Sequence, residues 1–280
     1  MTINNLSLAY STCPNDTFIF HAMAHKIIDL KGLSYNIKLD DVESLNLKAA
    51  SMMYNISKLS FAAIGNLQDN YALLKTGAAL GRGCGPLLVA KPGYKLKNIN
   101  ETAIAIPGIQ TTANLLLGLW AGKNNNTVPM TFDKIMPSVC SGEYEFGVII
   151  HEGRFTFGDY GLECVIDLGQ WWEDETSMPI PLGGIAIQRN LPQEIILQVE
   201  KTIGESVIHA FNDRNASSDY INNHAQELDD DVIKQHIDLY VNSFSQSLGH
   251  EGEKAVEYLF DLARKKGVMK KCNNAIFASG

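Results

Sequence analysis

Residues 147–150 (Gly-Val-Ile-Ile) form a short apolar run that ends abruptly at His151 and Glu152. The length of the run and its Val and Ile content predict a buried β-strand. Ligands collect at the carboxyl ends of strands in open α/β sheets, so a titratable side chain here is well placed for chemistry. Successive strand side chains face opposite ways, so we expect His151 and Glu152 not to share one site. We take His151 as the candidate, because histidine titrates near neutral pH, with a purely structural strand-end histidine as the alternative.

Two stretches combine a strand, a tight turn and a helix start. Residues 6–11 alternate like a strand, and in the turn that follows Asn15 or Asp16 is placed to cap a helix. Residues 103–106 form a second strand, followed by a Pro-Gly turn and by Thr111 as the predicted N-cap. Free backbone N–H groups at such helix starts suit an anion, although each stretch alone could be an ordinary βα turn. Their repetition favours a ligand held between two halves of the molecule.

Two further stretches offer polar groups next to predicted strands. Residues 56–60 form a short strand whose end presents Lys58 and Ser60, two donors suited to a carboxylate or a hydroxyl. The alternative is a surface lysine and a serine that caps a helix. Residues 77–86 place four glycines around Arg82, but without the spacing of a P-loop or of G-x-G-x-x-G. We therefore do not infer nucleotide binding.

Strands that alternate with helices predict an α/β protein with two lobes and a ligand cleft between them. The predicted crossings are the Lys-Pro-Gly turn at residues 91–93 and an extended segment at residues 179–187. The first lobe would comprise residues 1–91 and 184–280, and the second lobe would comprise residues 92–183. The C-terminal part is predicted to be helical over residues 194–212, 217–227, 229–243 and 251–266, and residues 124–126 (Asn-Asn-Asn) are predicted to be a loop. Trp171 and Trp172 either wall a pocket or cover the core, and we favour the core.

Composition limits the class of protein. With 280 residues, 45% of them hydrophobic, the chain can bury a sizeable core, and a net charge of -8 argues against nucleic acid or an anionic membrane as a partner. Five cysteines without a C-x-x-C pair argue against a zinc site or disulfide framework and favour a reducing compartment. No secretory signal is visible at residues 1–11, and no apolar run approaches the ~20 residues of a membrane span. We expect a cytoplasmic protein with no metal.

Several motifs together resemble 1,4-dihydroxy-6-naphthoate synthase, a family of the futalosine route to menaquinone. Each motif is weak alone, but the set occurs in the family's order from about Leu6 to the last predicted helix. The motifs are Ser-Thr-Cys-Pro-Asn-Asp-Thr-Phe at 11–18, Lys-Leu-Ser at 58–60, Gly-Arg-Gly and Gly-Pro-Leu within 81–87, Pro-Gly and Thr-Thr within 107–112, and Ile-Ile-His-Glu with Arg-Phe-Thr within 149–156.

The resemblance implies a type II periplasmic-binding-protein-like fold and a lyase that works without a cofactor. The substrate would be cyclic dehypoxanthinylfutalosine, a small anionic molecule, and the products would be 1,4-dihydroxy-6-naphthoate and dihydroxyacetone. The family's proton acceptor falls on His151. Its substrate-lining positions fall on Lys58, Leu59, Ser60, Thr111 and Thr112.

Two rival functions share the expected fold. One is a binding protein that captures a solute without transforming it, and the missing secretion signal and the histidine argue against it. The other is chorismate dehydratase, a sibling enzyme of the same pathway, and the Ile-Ile-His-Glu motif favours the synthase over it. The fold alone would not decide, because function depends on the residues of the site.

Overall fold

A computed structural model describes residues 5–96, 99, 101–122, 126–225 and 229–279 of the chain. Residues 124 and 125 of the predicted loop and residues 226 and 227 of the predicted helix lie outside the described residues. The strands, in chain order, are β1 (Asn5–Ser11), β2 (Ser34–Asp40), β3 (Ile56–Ser60), β4 (Tyr71–Leu73), β5 (Ala79–Gly81), β6 (Leu87–Ala90), β7 (Ile104–Ile106), β8 (Thr127–Pro129), β9 (Phe146–Ile149), β10 (Glu163–Asp167) and β11 (Ile180–Gln188). The helices are α1 (Pro14–Ala24), α2 (Val42–Ala50), α3 (Phe61–Asn66), α4 (Thr112–Ala121), α5 (Phe132–Ser141), α6 (Gly153–Thr156), α7 (Leu168–Thr176), α8 (Gln193–Asn212), α9 (Ser218–Asn222), α10 (Asp230–Tyr240), α11 (Ser243–Gln246) and α12 (Gly249–Lys265).

The strands form two sheets. In the first sheet the order is β2-β1-β3-β11-β4, and β5 also pairs with β11. Here β1 runs parallel to β2 and β3, whereas β11 is antiparallel to its partners. In the second sheet the order is β10-β6-β9-β7-β8, with β7 parallel to β8 and β9, and with β6 antiparallel to β9 and β10. The alternation of strands and helices in the sequence is therefore realised as two mixed sheets.

The chain first changes sheets within the glycine-rich loop, earlier than the predicted crossing at residues 91–93. Strand β5 belongs to the first sheet, whereas β6, which lies within the predicted first lobe, pairs with β9 and β10 in the second. Backbone pairing of β6 thus begins the second sheet at Leu87. The return lies between β10 and β11, close to the predicted position. The lobe boundaries themselves stay a prediction.

Apolar faces of helices and strands supply the core. In α8 the buried residues recur with helical spacing, among them Ile196, Val199, Ile203 and Val207, and this face packs against α1. The largest hydrophobic cluster contains side chains from both sheets. Trp172 is fully buried in that cluster, and its Nε1 donates a hydrogen bond to the backbone oxygen of Pro179. The core interpretation of Trp172 is confirmed.

Local sequence signals place most element ends, with one clear exception. The helix predicted from residue 229 begins there, and Asp229 caps α10 by accepting hydrogen bonds from the backbone N–H groups of Asp231 and Val232. The apolar residues Met130 and Phe132 predict a short strand over residues 130–132, but Thr131 is the extended N-cap of α5 and Phe132 begins that helix, so this prediction is wrong. The short strand β8 precedes it. Within the described ranges, no helix has both the length and the apolar character that crossing a bilayer requires.

Candidate active site

A cavity of about 100 Å³, partly open to solvent, lies between elements of the two sheets. The carboxyl ends of β1 and β3, the start of α4, the turn after β9 and one face of α10 contribute to its wall. All six residues that the sequence assigned to the site line this cavity. They are Lys58, Leu59, Ser60, Thr111, Thr112 and His151.

Lys58 forms a buried ion pair with Asp16. Its Nζ lies 2.6 Å from Asp16 Oδ1, and the two side chains are 8% and 3% exposed, which excludes the surface alternative for Lys58. The other carboxylate oxygen of Asp16 accepts hydrogen bonds from the backbone N–H and the hydroxyl of Ser11. The expectation that Asn15 or Asp16 caps α1 is wrong: the N-cap is Cys13, whose side chain makes no capping bond. Asp16 instead fixes the ammonium group at the cavity wall.

Ser60 keeps a hydroxyl proton that it can donate into the cavity. Its Oγ accepts a hydrogen bond of 3.1 Å from Asn46 Nδ2, and its backbone N–H donates to Asn46 Oδ1 at 3.0 Å. Ser60 is the N-cap residue of α3, but its side chain makes no capping hydrogen bond. Its neighbour Leu59 is 1% exposed, and its side chain belongs to the hydrophobic core. Leu59 therefore contributes shape to this wall, and Ser60 contributes a donor.

The two threonines position the start of α4 and use their own hydroxyl protons to do so. Thr111 is the N-cap, as predicted: its Oγ1 accepts from Asn114 N and donates to Gly108 O at 2.7 Å. The Thr112 hydroxyl donates to the backbone oxygen of Leu182 at 2.7 Å. The first N–H groups of a helix have no acceptor within the helix, so the backbone at this point offers donors to a ligand. An anion would meet backbone N–H groups here rather than threonine hydroxyls.

His151 lies in a turn, two residues beyond the end of β9. Its φ of 54° is left-handed, which is uncommon for a residue with a side chain and is associated with functional sites. The imidazole is 19% exposed, and its Nδ1 lies 3.3 Å from Cys13 Sγ and 4.0 Å from Glu152 Oε2. Because the strand ends at Ile149, strand alternation does not apply, and the two side chains lie next to each other. Only His151 is among the residues that line the cavity. Glu152 Oε2 is buried and has no hydrogen-bond partner among the described residues.

Burial sets the protonation states around His151. Desolvation lowers the pKa of His151 below its usual value, and Lys58 lowers it further, while the carboxylates of Glu152 and Asp16 act in the opposite direction. The net direction leaves the imidazole neutral near pH 7. Burial and the same two carboxylates raise the pKa of the Cys13 thiol well above its usual value. The raised pKa favours the thiol form of Cys13, whose Sγ contacts His151.

Sequence reasoning missed two residues of the site, His236 and Tyr240. Both lie on α10 and line the cavity, and the His236 ring is centred 6.0 Å from the ring of His151. The sequence does contain a sign that these two residues are buried, namely the helical spacing of Ile233 and Ile237. That spacing marks the inward face of α10, which also carries positions 236 and 240. That spacing alone does not say that this face closes a cavity built by distant strands.

Arg82 lies outside the residues that line the cavity. It is about half exposed and bonds to the backbone oxygen of Ser177 and to Glu251, so it ties the glycine-rich loop to α12. Arg154 supports the same loop through a 2.8 Å hydrogen bond to Gly85 O. Among the described residues, no three His, Cys, Asp or Glu side chains converge in a way that could hold a metal ion.

A sequence model of the family described as "Menaquinone biosynthesis" matches residues 6–265. The chain belongs to this family. It is 42% identical over 272 residues to a Thermus thermophilus protein named 1,4-dihydroxy-6-naphtoate synthase, with 97% of this chain and 98% of that protein covered. A Streptomyces coelicolor protein of the same name is 38% identical over 274 residues, covering 96% of each. The predicted family is confirmed, and the chain is an enzyme of menaquinone biosynthesis.

Solved structures confirm the predicted fold. A crystal structure of a protein from Archaeoglobus fulgidus is similar with a TM-score of 0.90 and 34% identity, covering 96% of this chain and 100% of that one. The alkanesulfonate-binding protein of Xanthomonas axonopodis, bound to MOPS, gives 0.72 at 13% identity, covering 96% and 95%. A Candida albicans protein described as having the generic periplasmic binding protein fold gives 0.68 at 13% identity, covering 97% and 93%. The last two likenesses establish the periplasmic-binding-protein-like fold alone.

Proposed function

We propose that this enzyme converts cyclic dehypoxanthinylfutalosine to 1,4-dihydroxy-6-naphthoate and dihydroxyacetone, with His151 as the general base. The observation that carries the proposal is His151 in the wall of a cavity that also offers donors for an anion. Burial lowers the pKa of this histidine, which favours the neutral form that a base needs. The name of the two curated relatives supports the product. The only partner in this proposal is the small anionic substrate, and the proposed location is the cytoplasm.

The donors for the substrate carboxylate would come from Ser60 and from the start of α4. Ser60, Thr112 and Ala113 belong to the cavity wall. The positive end of the α4 dipole adds to the attraction for a negative group at this point. Lys58 acts at longer range in this scheme, because its ammonium is already bonded to Asp16.

His151 would remove a proton from the spiro-fused ring system of the substrate. Bonds to the sugar remnant then break, and aromatisation of the naphthalene drives the step. A neutral imidazole is the form that a general base needs, and such a base typically contributes about 10²- to 10⁴-fold to the rate. When His151 takes the proton, the Glu152 carboxylate at 4.0 Å stabilises the new positive charge.

The test is to incubate the purified protein with cyclic dehypoxanthinylfutalosine and to detect dihydroxynaphthoate by chromatography and mass spectrometry. We expect product from the wild type and a loss of about 10²- to 10⁴-fold in kcat for His151→Asn, with substrate binding retained. His250 is exposed at the start of α12, so His250→Asn is the matched control and should keep full turnover.

Near-normal turnover by His151→Asn would refute the assignment of the base. Tight binding of the substrate by the wild type without any product would refute the reaction and favour the rival binding protein. Equal loss of turnover in His250→Asn would show that the assay reports general damage rather than the removal of a base.

A further inference from the structure

His236 is a second buried histidine in the same cavity, and the proposed base does not explain it. The residue is 1% exposed and lines the cavity, and its ring is centred 4.6 Å from the ring of Tyr240. Its Nε2 lies 2.9 Å from Asn15 Oδ1. Its Nδ1 is fully buried and has no hydrogen-bond partner within the described part of the chain.

A chain of hydrogen bonds determines which nitrogen of His236 carries the proton. Asp16 Oδ1 receives the ammonium of Lys58 at 2.6 Å and the side-chain N–H of Asn15 at 2.9 Å. A carboxylate paired with an ammonium only accepts, so the amide nitrogen of Asn15 must face Asp16 and its Oδ1 must face His236. The amide oxygen also only accepts, so Nε2 of His236 carries the hydrogen.

The remaining nitrogen of His236 is then a free acceptor. Burial lowers the pKa of His236 well below its usual value, and nearby His151 lowers it further, so the ring holds a single proton. With that proton on Nε2, Nδ1 presents a lone pair. A buried acceptor left without a donor is costly, so a donor that arrives with a ligand gains the full value of the hydrogen bond.

We propose that Nδ1 of His236 accepts a hydrogen bond from a hydroxyl group of the bound substrate, which makes His236 a specificity-determining residue. This inference rests on the proposed function. The three-carbon fragment that the proposed reaction releases carries hydroxyl groups, and the carboxylate would occupy the donors at Ser60 and α4. The donors at Ser60 and α4 and the acceptor at His236 would then hold the substrate at two places and orient it against His151. A ligand of the same shape without the hydroxyl would leave Nδ1 unpaired.

Two substitutions separate recognition of the hydroxyl from a tether to Asn15. In His236→Gln the side-chain amide reaches the position of Nε2, so it keeps the bond to Asn15 but loses the acceptor at Nδ1. In His236→Asn the shorter amide places its oxygen near Nδ1, so it keeps the acceptor but loses the bond to Asn15. We expect His236→Gln to lower kcat/KM by roughly 10- to 100-fold, the size of one unpaired buried group, and His236→Asn to lower it much less.

The reverse order, with His236→Asn the weaker enzyme, would show a tether and overturn the proposal. A second measurement uses the wild type with ¹⁵N-labelled histidine. The Nδ1 resonance should be that of an unprotonated ring nitrogen near pH 7 and should shift toward the hydrogen-bonded value when substrate or dihydroxyacetone binds. A protonated Nδ1, or no shift on binding, would equally overturn it.

The outcome for His236 is separable from the outcome for the proposed function. If the wild type turns over the substrate and the two variants rank in the reverse order, only the assignment of His236 fails. If the wild type neither binds nor transforms the substrate, both proposals fail together.

Discussion

Replacing Lys58 by Met tests the buried ion pair that forms one wall of the cavity. The substitution keeps the length of the aliphatic stem and leaves Asp16, whose side chain is 3% exposed, without its ammonium partner. Breaking a buried pair from one side costs about 3–5 kcal/mol. Asp16 keeps donors from Ser11 and Asn15, so we expect the lower end, about 3 kcal/mol, in the free energy of unfolding. For a chain of this size that corresponds to a fall of roughly 6–9 °C in the melting temperature.

Circular dichroism during heating and urea denaturation would measure the loss. Lys270→Met is the matched control, because Lys270 pairs with Asp69 on the surface and should leave the melting temperature unchanged. Combining Lys58→Met with Asp16→Asn removes the uncompensated charge and should recover part of the loss. A Lys58→Met protein within about 1 kcal/mol of the wild type would refute the reasoning, since that value belongs to exposed pairs.

Two more predictions concern the base and the glycine-rich loop. The pKa of His151 is lowered by burial, so kcat/KM should fall only as the pH drops below about 6.5, and Glu152→Gln, which removes a charge that raises this pKa, should move the fall to lower pH in a pH–rate profile. A fall displaced to higher pH would contradict the electrostatic account. Gly85→Ala should lower the melting temperature, because its Cβ would come within 2.2 Å of the backbone of Gly169, whereas Gly158→Ala meets no atom within 4 Å and serves as the control. Equal melting temperatures for the two variants would show that the glycine-rich loop accommodates the added Cβ without loss of stability.

The elements of the fold were largely readable from the sequence because their signals are local. The Val-Ile run before His151 is β9, and the helical spacing between Pro192 and Asp213 is α8. Thr111 was identified as an N-cap from its position after a Pro-Gly turn, and it caps α4. These signals depend on neighbours within a few residues, so no tertiary information is needed to detect them.

Sheet membership could not be read in the same way. Strand β6 is a short apolar run with no feature that distinguishes a strand of the first sheet from a strand of the second. Its assignment depends on backbone pairing with β9 and β10, which lie more than 50 residues away in the chain. The predicted crossing at residues 91–93 was a reasonable turn signal, but the chain had already changed sheets.

The same distinction between local and long-range information applies to the residues of the site. The sequence by itself, through its motifs, identified His151, Ser60 and the start of α4, and each of them lies on the cavity. Only the tertiary structure placed Asp16 on Lys58, Glu152 beside His151, and His236 opposite Asn15. The physical reason is that a residue's type and local spacing fix its intrinsic chemistry, whereas its protonation state and partners depend on burial and on groups brought together from distant parts of the chain.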